Sequence, residues 1–253
     1  AGQAIEALRA RGVAVTVAAA DVADAPGLAR ALAPFVQPGT AQPPLRGVLH
    51  AAGTVDDGML AELDMRRFAG VMAAKVRGTW NLHTLTAATP LDFFVGFSSG
   101  ASLLGSPGQA NYAAANAFID ALAHRRRLQG RHALAVNWGI WAGAGMAAAV
   151  DDSHRRRWAA LGLAMIEPDE GVDMLLRLLR ANRHAAAAAL PLNRARLPAG
   201  LAPFYALLQV RPAAAAAPRE GSGPGAAADL LPRLRAADGA ARRALLADFL
   251  AEQ

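Results

Sequence analysis

The chain has 253 residues, 54% of them hydrophobic, and a formal net charge of +6 at pH 7, enough apolar material for one substantial core in one or two domains. It contains no cysteine, which excludes disulfides and thiolate metal sites and accords with a reducing compartment. No apolar run reaches the ~18 to 20 residues of a membrane span, and the first residues lack a basic-then-apolar signal pattern, so a soluble cytoplasmic protein is expected.

Residues 4–11, AIEALRAR, have the spacing of an amphipathic helix stopped at Gly12, and VAVTVAAA predicts a buried parallel strand running into Asp21 and Val22. PGLARALAPF predicts a second helix with Pro26 near its first turn, and RGVLHAAG the next strand. Helical and β-branched segments then alternate through DMRRFAGVMAAKVRGTWNLHTLTAA, LDFFVGFSS, a helix over 110–129 and HALAVNWG. PDEGVDMLLRLLR, with Pro168 at a helix start, and AAAAALPL as a strand close the series. Such alternation predicts an α/β fold with a doubly wound parallel sheet, whose ligands bind beyond the carboxyl ends of the strands. Those ends carry Asp21, Gly53, Ser99 and Gly139.

The positive charge raises the question of nucleic acid, because HRRR occurs at 124–127 and 154–157. Both runs lie on helical stretches without interleaved aromatics or Gly-rich segments, so solvated helix faces are expected instead. Nor do the six histidines, His50, His83, His124, His132, His154 and His184, form an HxxxH or HxH pair that would hold a metal.

The chemistry concentrates in SSGASLLGSPGQANYAAAN, residues 98–116. Ser99 ends a strand, Tyr112 falls in the first turns of the following helix, and Asn116 shares a helix face with Tyr112 four residues on. A phenol titrates near pH ~10, so a proton-donating Tyr112 calls for hydrogen-bonding partners and a nearby cation that lower its pKa. Lysine and arginine together number 26, and Lys75 is the single lysine among them. An ammonium is a compact charge that shifts its pKa readily, whereas a guanidinium does not; a chance solvent lysine is the alternative, and the count leaves both open.

The segments HAAGTVDDGML, AAKVRGTWNLH, GFSSGASLLGSPGQANYAAANAFIDALA and AVNWGIWAGAGMA resemble, in order and spacing, the ketoreductase domain of modular polyketide synthases, a branch of the short-chain dehydrogenase/reductase family with a Rossmann-like sheet. The resemblance covers most of residues 1 to 192 and implies Tyr112 as proton donor, Ser99 as hydrogen-bond donor to the substrate ketone, and Lys75 and Asn116 as their electrostatic and relay partners. Ordinary short-chain dehydrogenases carry the lysine four residues after the tyrosine; here that position is Asn116 and the lysine comes from the preceding helix, as in the synthase branch.

The same resemblance implies NADPH as cofactor. No GxGxxG follows a strand anywhere in the chain, so the first βαβ unit, with the phosphate-binding turn, is expected upstream of Ala1. Asp21 and Val22 would flank the adenine, His50, Ala51, Ala52 and Gly53 would pass beneath the adenosine ribose, and Trp138 and Gly139 would line the nicotinamide. Val55, Asp56 and Asp57 resemble the Leu-Asp-Asp signature of B-type ketoreductases with Val for Leu. A-type enzymes carry a Trp eight residues before the tyrosine, where this chain has Leu104. With Gln109, these residues form the expected stereocontrol set and point to a D-configured alcohol; the alternative is that Asp56 and Asp57 merely cap the following turn.

Residues 151–163 match the family's mobile lid. VRPAAAAAPREGSGPGAAAD reads as a linker, and DLLPRLRAADGAARRALLADFLAEQ resembles the first helix of an acyl carrier protein. The expected organisation is a ketoreductase part over 1–197, a linker over 198–229 and a carrier-like helical start over 230–253. The expected function is NADPH-dependent reduction of a β-ketoacyl chain held on the phosphopantetheine of an acyl carrier protein, alongside other domains of the same synthase and without nucleic-acid or membrane partners. A free-standing short-chain dehydrogenase and a non-catalytic synthase fragment are the alternatives.

Overall fold

The alternating segments assemble, in a computed structural model that describes residues 2–37, 39, 43–143, 162–193 and 241, into a parallel sheet with helices on both faces. Strands β1 (Gly47–His50), β2 (Phe93–Ser99), β3 (Leu134–Trp138) and β6 (Ala186–Ala189) pair in parallel in the order β1-β2-β3-β6. A separate parallel pair joins β4 (Ile140–Trp141) to β5 (Met165–Ile166). Every residue of β3 is buried, as a central parallel strand requires, and this is why HALAVNWG shows no polar alternation. Register sets Ser99, the last residue of β2, opposite Trp138, the last of β3.

The helices are α1 (Gly2–Ala10), α2 (Ala25–Val36), α3 (Met65–Met72), α4 (Thr79–Leu85), α5 (Ala101–Leu104), α6 (Ala110–Leu128) and α7 (Pro168–Ala181), with a π-helical segment (Ala73–Gly78) joining α3 to α4. Asp24 caps α2 by accepting from the Gly27 amide at 3.1 Å, and Asp64 caps α3 by accepting from the Arg67 amide at 2.8 Å. Pro168 opens α7, and Asn182 closes it in the left-handed region at φ 44°.

Alternate residues of the sheet feed two cores. Val95, Val136 and Trp138 pack with Ile166 and Ala189 beneath Met174, Leu175, Leu178 and Leu179 of α7. On the opposite face Ala135 lies under Ile119 and Ala123 of α6, while Val48 and Phe94 meet Leu28 of α2 and Leu82 of α4. Burying a Val, Leu or Ile contributes about 1.5 to 3 kcal/mol each, so both faces of β2 are anchored and its carboxyl end is a fixed platform.

Three expectations are corrected. Residues 13–20 form no strand, and Val13 and Val17 are 47% and 66% exposed; β-branched composition favours a ladder, but no described strand pairs with this segment, so its backbone bonds are not made there. The helical stretch expected over DMRRFAGVMAAKVRGTWNLHTLTAA is present, but it is π-helical rather than α-helical at Ala73–Gly78. The run at 124–127 is solvated only in part: His124 and Arg125 are exposed, but Arg126 is only 3% exposed. Its Nη1 lies 2.8 Å from His83 Nδ1 and its guanidinium stacks 4.1 Å from the Phe94 ring centroid.

No helix among the described residues is long and apolar enough to cross a membrane. The chain divides into units Ala1–Pro198 and Ala199–Gln253. The expected linker, the carrier-like helix apart from Ala241, and the lid segment up to residue 161 lie outside the described residues.

Candidate active site

β2 delivers Ser99 to the carboxyl edge of the sheet, where Gly100 and the short α5 turn the chain toward α6. The Ser99 hydroxyl accepts from the Ala101 amide at 3.2 Å, fixing the turn. Gly108, at φ +81°, makes the left-handed turn that leads into α6 and would strain any other residue. Tyr112 and Asn116 then follow on one helix face, 8% and 0% exposed. Asn116 Nδ2 donates to the Tyr112 carbonyl at 2.8 Å, while its Oδ1 is buried without a hydrogen-bond partner.

The lysine arrives from the π segment. Lys75 is 3% exposed, its Nζ donates to the Phe97 carbonyl at 2.9 Å and lies 5.4 Å from the Tyr112 ring centroid. The solvent-lysine alternative is thereby removed. A π turn accommodates one extra residue per turn and recurs at functional sites, and here it carries Lys75 inward against β2. His50 steadies the same segment: its Nε2 lies 3.1 Å from the Ala74 carbonyl, which only accepts, so that nitrogen carries the proton. Burial, then the Lys75 charge, lower His50 to about 4, and the ring is neutral at pH 7.

Burial also lowers Lys75, from its ordinary 10.5 to about 8, with the Asp120 carboxylate opposing the shift. The Tyr112 phenol is pushed above its ordinary value, chiefly by burial and also by Asp57; hydrogen bonding from Asn116 and Ser99 draws it partly back. A lowered phenol was the expectation, and burial overrides it.

The expected cofactor residues separate into two groups. Ala51 and Ala52 are exposed at the end of β1, and a Cβ on Gly53 would come within 2.9 Å of Lys75 Cε; this small-residue edge is open and borders the lysine. Asp21 is exposed and accepts from the Ala23 amide at 2.8 Å. By contrast Val22 packs on Gly78 and its carbonyl accepts from Asn81 Nδ2 at 3.0 Å. The Trp138 indole belongs to the core, 4.8 Å from the Trp141 ring centroid and 5.4 Å from that of Phe97. Gly139 sits tight against β6, donating its amide to the Ala189 carbonyl at 2.9 Å.

Of the residues expected to control stereochemistry, Asp56, Asp57 and Gln109 are tied together at the start of α6. Gln109 Nε2 donates to Asp57 Oδ2 at 2.9 Å, and Asn111 Nδ2 donates to the Asp56 carbonyl at 2.9 Å. Arg67 Nε donates to Asp56 Oδ1 at 2.8 Å, and its Nη2 donates to the Asp57 carbonyl. Neither aspartate serves as a simple turn cap. Val55 is 43% exposed, and Leu104 is half-buried in α5.

Sequence patterning does not single out Arg67, Asn111, Ser102, Asp120 or Asn137, all of which hold site residues in place. Asp120 carried a signal, since it continues the helix face of Tyr112 and Asn116 at the next four-residue step.

The model of the KR domain family matches residues 1–143, more than half of the chain. The chain belongs to the KR domain family. Over 180 residues this KR chain is 44% identical to the spectinabilin polyketide synthase system protein NorB of Streptomyces orinoci, covering 70% of this chain and 8% of that protein. Among solved structures, an A-type ketoreductase from a modular polyketide synthase is 41% identical at a TM-score of 0.68, covering 74% of this chain and 38% of that one. The ketoreductase from the first module of phoslactomycin biosynthesis in Streptomyces sp. HK803 is 35% identical at a TM-score of 0.70, covering 81% and 45%. The sheet is thus the Rossmann-like sheet of synthase ketoreductases, and KR domains are oxidoreductases. The chain spans less than half the length of these solved chains and under a tenth of NorB.

Proposed function

We propose that this KR chain reduces a β-ketoacyl thioester, carried on the phosphopantetheine of an acyl carrier protein, to the β-hydroxyacyl thioester, with NADPH as reductant. The observation that carries the proposal is the burial of the chain's single lysine against the Tyr112 ring, with Ser99 at the end of β2 and Asn116 one turn beyond Tyr112 on α6. The residues present fit a nicotinamide cofactor: Ala51, Ala52 and Gly53 give an open edge without bulky side chains, and Asn116 Oδ1 is a buried acceptor left for a relay partner. That edge would pass beneath the adenosine ribose, and Lys75 would lie between Tyr112 and the cofactor ribose. When bound, NADPH supplies the hydride to the carbonyl carbon.

The raised Tyr112 pKa keeps the phenol protonated at neutral pH, as a proton donor must be. Ser99 and Tyr112 hydrogen-bond the ketone oxygen, and the bond strengthens as that oxygen gains charge. Tyr112 then gives its proton to the alkoxide. The resulting phenolate is stabilised by the Lys75 ammonium, which at about 8 is mostly charged at pH 7.

B-type stereochemistry is part of the reading. Asp57, tied to Gln109, and Asp56, tied to Arg67, hold a polar loop beside the first turn of α6, and Leu104 leaves the A-type tryptophan position without its aromatic ring. A loop carboxylate that hydrogen-bonds the acyl arm selects its side of approach, and a preference of about 1 to 3 kcal/mol gives roughly 10- to 100-fold discrimination. Similarity to an A-type structure does not decide the matter, because the type is set by these few side chains rather than by the sheet. Chiral chromatography of the alcohol formed from a diketide thioester with NADPH tests the proposal. A D-configured product is expected; an L-configured product overturns the B-type reading, and no NADPH-dependent alcohol overturns the whole.

A further inference from the structure

We infer that Asp120 is a positioning residue of this site, holding the Ser99 end of β2 from α6 through Ser102 and Asn137. The inference rests on the ketoreductase reading for its consequence in catalysis, and on geometry for its existence. Asp120 lies eight residues beyond Tyr112 and four beyond Asn116, on the face of α6 that meets β2. Asn137 Nδ2 lies 2.9 Å from both of its carboxylate oxygens, and Ser102 Oγ lies 2.7 Å from Oδ2.

Both partners reach the catalytic strand end. Ser102 Oγ is also 2.8 Å from the Ser99 carbonyl, and Asn137 Nδ2 is 3.1 Å from Ser98 Oγ, which in turn donates to the Asn116 carbonyl at 3.3 Å. Ser102 has one proton for two acceptors, and the charged one draws it more strongly. The carboxylate therefore orients the hydroxyl and the amide that frame Ser98 and Ser99. Asn137, 1% exposed, and Ser98, 4% exposed, are shielded from water, which strengthens their bonds, while Ser102 and Asp120 are half-buried.

The titratable groups that face Lys75 are His50 from β1, neutral at pH 7, and Tyr112 and Asp120 from α6. The Asp120 carboxylate favours the charged ammonium against burial. One residue thus serves two ends: Ser99 through hydrogen bonds, and Lys75 through charge. Removing the charge while keeping the shape separates them from simple packing.

The chain's single lysine makes the test direct. Protein grown with lysine carrying carbon-13 at Cε gives one side-chain resonance, whose pH titration reports Lys75 alone. Wild type should titrate at about 8, and Asp120→Asn at a lower pH. Ser102→Ala keeps the carboxylate, so its Lys75 midpoint should stay at the wild-type value while kcat for a β-ketoacyl thioester falls about 10-fold or more from loosening of the Ser99 strand end. In Asp120→Asn the same fall in kcat should come with a basic limb of the pH profile displaced downward. An unmoved Lys75 midpoint in Asp120→Asn, or unchanged kcat in Ser102→Ala, overturns the inference. Absence of reduction in the wild type would overturn the ketoreductase reading instead, and the lysine titration would still decide the role of Asp120.

Discussion

Lys75→Met should make the protein more stable at pH 7 while abolishing the proposed reductase activity. Burial holds the ammonium at about 8 against its ordinary 10.5, and at about 1.4 kcal/mol per tenfold change in proton affinity this corresponds to about 3 kcal/mol. The folded state binds the proton less tightly than the unfolded state, so stability rises as pH climbs from about 8 to 10.5 and the full cost is present below 8. Methionine has similar length and no charge, but it leaves the Phe97 carbonyl without the 2.9 Å bond from Nζ, a loss of about 1 to 2 kcal/mol. The net gain at pH 7 is then about 1 to 2 kcal/mol, or roughly 2 to 8 °C in Tm for a chain of this size. Above pH 10.5 the wild-type lysine becomes neutral in both states, and the gain should vanish or reverse. Urea unfolding of both proteins across this range measures the difference. A variant less stable at pH 7, or a difference independent of pH, would refute the reasoning that the lysine is held charged at the expense of stability.

Gly53→Val places a branched side chain where a Cβ alone already meets Lys75 Cε at 2.9 Å; kcat should fall at least about 10-fold with Tm little changed, because the displaced group is a flexible side-chain end. Activity of the wild type should decline above about pH 8 as Lys75 loses its proton, and a profile flat to pH 10 would detach the lysine from the mechanism. Arg126→Ala removes a buried guanidinium stacked on Phe94 and leaves His83 Nδ1 unpaired, lowering stability by about 2 to 4 kcal/mol in denaturant unfolding with KM unaffected.

Elements whose cause is local were legible in the sequence. Pro168 marked α7 and the Ala-rich run marked α6, and the four-residue spacing from Tyr112 to Asn116 placed both on one face, as observed. The strand expected over 13–20 was misread because a ladder depends on a neighbour as much as on composition. The π segment was invisible for a different reason: AAKVRG has no proline or helix-capping residue to interrupt an α-helical pattern, and its extra residue is fixed by packing and by His50 reaching the Ala74 carbonyl. The run at 124–127 looked solvated because charge is usually outside, yet Phe94 and His83, both distant in sequence, take up Arg126. Likewise the single lysine identified Lys75, but only the fold shows that burial dominates the titration of Lys75 and Tyr112 alike.

The central claim, that Tyr112 donates the proton in an NADPH-dependent ketone reduction, is tested most directly by comparing wild type with Tyr112→Phe on a β-ketoacyl thioester and nicotinamide deuterated at C4. Wild type should place deuterium on the β-carbon of the hydroxyacyl product. Tyr112→Phe, which removes one hydroxyl and no packing, should keep the fold and lose about 10²-fold or more in kcat. Reduction by Tyr112→Phe at the wild-type rate, or a product without deuterium at that carbon, would contradict the account.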